Sequence, residues 1–144
     1  MPPKGNREDA IEYLKTEGCS CVICNNGNLY PYFGRGVADL LYVLEKEPEI
    51  MAGAFIADKV VGKAAAALMI TGKAKEIYAV TVSEPALDLL NRFNVKIVYE
   101  VLTGHIINRT GTDWCPLERL CSGASDVADC VSLIKGFVNS NKRT

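Results

Sequence analysis

Apolar residues first recur at helical spacing: Ile11 and Leu14 follow Asn6, with Asp9 three residues beyond that asparagine. This is the arrangement of a capped amphipathic helix, and Gly18 ends it. The pattern then changes. "CSCVICNNGNLYPYF" (19–33) holds two short runs joined by Asn26-Gly27, the dipeptide best suited to a two-residue hairpin turn, so strands are expected near 19–25 and 28–33. After "GRG", Val37, Leu40, Leu41 and Leu44 form the stripe of an amphipathic helix that Pro48 closes. "IMAGAFIA" (50–57) predicts a buried strand. "DKVVGKAAAALMITG" predicts a helix with Asp58 at its start and Gly72 past its end, apolar nearly all round apart from Lys59 and Lys63 and therefore central. "AKEIYAVTV" (74–82) predicts a strand, and "SEPALDLLNRFN" a helix with Ser83 as its cap and Pro85 in its first turn. "VKIVYEVL" (95–102) predicts another strand. The loop "TGHIINRTGTDW" leads to a helix starting near Cys115 and broken at Gly123. A last helix carries Val127, Cys130, Val131, Ile134 and Val138 on one side.

Strands alternating with helices after an opening hairpin imply an α/β fold: a mixed sheet of about five strands with helices on both faces. The 144 residues fit one domain, 1–144, long enough to bury a normal core. The net charge of −1 argues against nucleic acid as a partner. No apolar run is long enough to span a membrane, and the first residues lack a signal-peptide core, so a cytoplasmic protein is expected. Its six cysteines are then reduced thiols. An edge hairpin can pair with a copy of itself, which leaves a homodimer open.

Three stretches carry candidate chemistry. In "CSCVIC", strand alternation puts Cys19 and Cys21 on one face and Cys24 on the other, and no second Cys-x-x-Cys follows; these are expected to be buried core thiols. In "ADKVVGK", Asp58 suits a helix start. Lys59 and Lys63, four residues apart, would share a helix face, and Gly62 between them would let a ligand approach closely. The pair could hold a phosphate or carboxylate beside the helix N-terminus. In "HIINRTGTDWCPLE", Pro116 and Glu118 suit a first helical turn, but Cys115 is not explained by capping. A thiolate at a helix N-terminus is stabilised by the dipole and the exposed N–H groups, as in metal ligands and nucleophiles. Arg109 and Asp113, in the same loop, could bind an anion and orient a partner. His105 is the only histidine available as a base.

Two helix starts that each follow a strand, "ADKVVGK" and "GTDWCPLE", give a layout that resembles the cytidine-deaminase fold. There the first such helix opens with His (or Cys)-x-Glu and the second with Pro-Cys-x-x-Cys, together holding one zinc. "ADKVVGKAAA" and "NR-x-GT-x-x-CP-x-E" are similar to a family of small, mostly bacterial, uncharacterised proteins in the cytidine-deaminase-like superfamily, over roughly residues 19–122. The resemblance implies a three-layer α/β/α fold and places Asp58, Cys115 and Glu118 at the ligand positions. It also exposes a defect, because the proton-shuttling glutamate would stand at position 60, which is Val60. One thiolate with two carboxylates is a poor zinc set, and without the glutamate no group moves protons. Zinc is therefore disfavoured as a cofactor. The expected function is binding of a small anionic or nucleotide-like ligand between two helix N-termini, by Asp58, Lys59, Gly62, Lys63, Arg109 and Asp113. The alternative is an enzyme using Cys115 as nucleophile or atypical metal ligand, with Glu118 or Asp113 as acid/base.

Overall fold

The structure is a computed structural model and describes residues 2–34, 37–107, 113, 115–124 and 126–142. The opening helix α1 (Arg7–Thr16) is held by a reciprocal capping box between Asn6 and Asp9. Strands β1 (Cys21–Asn25) and β2 (Asn28–Tyr32) pair antiparallel across Asn26-Gly27. Both turn residues have positive φ, +52° and +76°, as a type I′ turn requires. Helix α2 (Val37–Lys46) buries Leu40, Leu41 and Val43.

The next segment departs from the expected pattern. Pro48 opens a short helix, α3 (Pro48–Met51), instead of merely closing α2. Gly53, at φ +75°, turns the chain, and the strand β3 runs from Phe55 to Val61 rather than over 50–57. Asp58 and Lys59 therefore lie in a strand. The buried helix α4 (Lys63–Thr71) starts five residues later than Asp58, with Gly62 as its N-cap. The β-branched pair Val60-Val61 suits an extended backbone, and its pairing with Thr81 and Val82 in the sheet overrides the capping signal at Asp58. β4 (Glu76–Ser83), α5 (Glu84–Arg92) and β5 (Lys96–Thr103) follow as expected, with the Ser83 hydroxyl accepting a bond from the Ala86 N–H at 3.3 Å. α6 (Pro116–Ser122) and α7 (Val127–Lys142) complete the described chain.

The sheet order is β2-β1-β3-β4-β5. β1 is antiparallel to β2 and β3, while β3, β4 and β5 are parallel, so the sheet is mixed and opened by a hairpin. On one face, Ala10 and Leu14 of α1 pack with Val22, Phe55, Ala57 and Tyr78. On the other, the larger core joins α2, α4, α5, α6 and α7 to Ile23, Ile56, Ile77 and Ala79. α4 is the centre of that layer: Ala64 through Met69 are all buried. The carboxyl ends of the three parallel strands, where open α/β sheets bind ligands, are bordered by the starts of α4 and α5. No described helix is long and apolar enough to cross a membrane.

Candidate functional site at the start of helix α4

The corner between the end of β3, the end of β5 and the start of α6 is organised by one carboxylate. Glu118 sits in the first turn of α6 and is only 2% exposed. Its Oε1 accepts the Lys63 N–H at 2.8 Å, and its Oε2 accepts the Ile106 N–H at 2.7 Å. Lys63 is the first residue of α4, so Glu118 satisfies a free donor at the positive end of the most buried helix. The backbone of Ile106 is held a second time, because its carbonyl accepts the Cys115 N–H at 2.7 Å. Gly62 makes this approach feasible. A Cβ there would lie 3.1 Å from Ile106 Cγ1 and 3.3 and 3.4 Å from the two Glu118 oxygens.

Cys115 is the N-cap of α6, half-buried, with no capping bond from its side chain. It is the only one of the six free cysteines that is not buried. Cys121 and Cys130 share a thiol hydrogen bond between α6 and α7; that bond and burial push the Cys121 thiol up and keep it protonated. The trio Cys19, Cys21 and Cys24 is buried as expected, but its division between faces differs. Cys19 precedes the strand, so alternation does not govern it, and it packs on the α1 side with Cys24 while Cys21 joins the larger core. Burial pushes the Cys21 thiol well up, and neighbouring Asp58 adds to the effect.

Asp58 stands apart from this corner in a way the sequence did not indicate. It lies within β3, opposite Cys21 on β1 and Ala79 on β4, and is 3% exposed. Oδ1 accepts the Val60 N–H at 3.2 Å, whereas Oδ2 is buried with no hydrogen-bond partner. Burial raises its pKa to about 7, opposed by hydrogen bonds from the Val60 and Lys59 N–H groups. Lys59 is exposed on β3, and its N–H donates to the Ser20 carbonyl at 3.1 Å. Lys63 is half-buried, with Nζ 3.5 Å from the Ala124 carbonyl. The two lysines do not share a helix face as expected, because Lys59 belongs to the strand. Asp113 forms an ion pair with Arg119. Arg109 lies outside the described residues.

The zinc arrangement implied by the resemblance does not fit these positions. The residue at the start of α4 is Gly62, not Asp58, and two residues beyond it is Ala64. Both Glu118 oxygens are engaged by backbone N–H groups. Among the described residues, no three His, Cys, Asp or Glu side chains come together to hold a metal. The sequence did not reveal the Ile106 N–H as Glu118's second partner. A glycine directly before an alanine-rich helix was the one available sign that an outside group approaches there.

Fold and site together define a mixed α/β protein in which two helices start beside the ends of parallel strands and are joined by a buried carboxylate. Residues 9–138 match the sequence model of the family described as TM1506, domain of unknown function DUF1893, and the chain belongs to that family. The crystal structure of a DUF1893 family protein (TM1506) from Thermotoga maritima is similar, with a TM-score of 0.82 at 21% identity over 90% of this chain and 87% of that one. That likeness concerns the fold. A diaminohydroxyphosphoribosylaminopyrimidine deaminase/5-amino-6-(5-phosphoribosylamino)uracil reductase from Thermotoga maritima matches with a TM-score of 0.45 at 15% identity, over 65% of this chain and 34% of that one. No curated protein matches the chain in sequence.

Proposed function

We propose that this protein is a deaminase-like scaffold that binds a small anionic or nucleotide-like ligand without zinc, at the crevice where β3, β4 and β5 end. The observation that carries the reading is Asp58. A buried acceptor without a partner costs about 1–3 kcal/mol, and a ligand hydroxyl, amide or ring N–H would satisfy it. With its pKa near 7, Asp58 can donate to a ligand when protonated or accept from one when ionised. Lys63, at the start of α4, supplies a cationic preference beside the crevice. Free thiols throughout suit a reducing, cytoplasmic setting.

The test is a melting-temperature panel of nucleotides and small anionic metabolites, run in chelator. At least one compound should raise the midpoint, and Asp58→Asn should abolish the rise while leaving a folded protein. A panel that shifts nothing, or shifts only after zinc is added, overturns the reading.

A second reading, Cys115 as a nucleophile, is favoured by its being the one thiol outside the core. Glu118 would not be its acid/base, since both oxygens are committed to backbone donors. This reading expects Cys115 to be alkylated faster than glutathione at the same pH; an equal or slower rate removes it.

A further inference from the structure

The two edges of the sheet are unlike. The β2 edge is guarded: Pro31 lies in the strand, Lys4 bridges to Asn28 outside it, and the Lys4 ammonium donates to the Asn28 side chain at 2.9 Å. β5 ends the sheet on the other side, and no described strand pairs with its outer edge. It contains no proline or glycine and exposes apolar residues on both faces. Val98, beside Tyr78, is 51% exposed on the face of α1; Tyr99, beside Ala79, is exposed on the other, and Val101 and Leu102 are exposed further along the strand. On the α1 face, Val98 also forms the outer wall of a groove of about 450 Å³ that Arg7, Ile11, Phe55 and Tyr78 line. A regular, apolar edge that no described strand covers is a template for another strand.

We infer that the occupant is a second copy of this chain, joined β5 to β5 in antiparallel fashion about a two-fold axis at Val98, giving a continuous ten-stranded sheet. Symmetry and charge select this register. A two-fold axis perpendicular to the sheet keeps each residue on its own face, and directly opposed residues share a face. The axis must therefore pass midway between one residue and its own copy. Centred on Val98, the pairs are Val98 with Val98, Ile97 with Tyr99, Lys96 with Glu100, and Val95 with Val101. Each is apolar with apolar or cation with anion, the combinations that stabilise neighbouring strands. An axis at Ile97 sets Val98 against Lys96, one at Tyr99 sets Val98 against Glu100, and one at Glu100 sets two carboxylates face to face. Lys96 and Glu100 are both well exposed and lie on the α1 face, near Glu76 and Lys15 respectively. The cross-chain pair would extend these into a four-residue charge row on each side of the axis.

The experiment is sedimentation equilibrium of the full chain. The wild type should be a dimer at micromolar concentration. Lys96→Glu and Glu100→Lys each place like charges opposite one another twice, and should weaken the dimer at least tenfold. An equimolar mixture of the two variants restores both opposite-charge pairs and should recover the dimer as a heterodimer. Should either variant fail to fold, Val98→Cys in a Cys115→Ser background replaces it. With oxidised glutathione as oxidant, the two introduced thiols each lose a proton and together two electrons to it, joining two chains while two reduced glutathiones are released. A monomeric wild type, variants that remain dimeric, a mixture that stays monomeric, or a Val98→Cys protein that does not cross-link would each overturn the inference; a monomer would assign the edge to a different partner.

Discussion

Two buried carboxylates in this molecule have opposite circumstances. Glu118 has a backbone donor on each oxygen, whereas Asp58 Oδ2 has none. Removing Glu118 strands two N–H groups in the interior and leaves a cavity, so Glu118→Ala should destabilise by about 3 kcal/mol or more, read as a shift in urea midpoint. Glu118→Gln retains the acceptor oxygen but presents an amide to the other N–H, and should lose less than the alanine variant. Asp58 makes a pH prediction. Its pKa is about 7 when folded against about 3.8 for the ordinary carboxyl, so the folded state holds the extra proton between these values. Stability must then fall as pH rises from about 4 to about 7 and level off above, by roughly 4 kcal/mol at most. Asp58→Asn should flatten this part of the curve. Parallel wild-type and variant curves across that window would refute the assignment.

At the scale of elements, the hairpin, α1, α5 and the start of α6 were legible because each depends on local chemistry. Asn26-Gly27, the Asn6–Asp9 box, Ser83 and Pro116 decide the backbone without help from the rest of the fold. The β3–α4 boundary was not legible. Asp58 resembles a cap and "AFIA" a complete strand, yet the strand continues beyond them because β4 pairs with Val60 and Val61. The choice lies with tertiary pairing. Moving the boundary to Gly62 also explains the glycine, whose missing side chain admits Glu118 and Ile106. Gly62→Ala should cost about 1–3 kcal/mol, since its backbone is unstrained but the neighbours are held by hydrogen bonds. A midpoint equal to wild type would mean that this corner is looser than its geometry indicates.

Across the whole molecule, the candidate site was legible in its parts and not in its assembly. Cys115 and Glu118 do lie at a helix start beside α4, but the sequence could not show that Glu118 commits both oxygens to the backbone. Nor could it show that Asp58 would be enclosed in the sheet. The β5 edge was hidden for a related reason: "KIVYEVL" shows no alternation, so its exposed apolar residues look like those of a fully buried strand. We propose that the buried carboxylate completes this fold in place of a metal. The most direct measurement is the unfolding midpoint of the wild-type protein in chelator and in a stoichiometric excess of zinc. The two midpoints should coincide. A zinc-dependent rise of several degrees, lost in Glu118→Ala, would show instead that a metal held by Glu118 completes the corner.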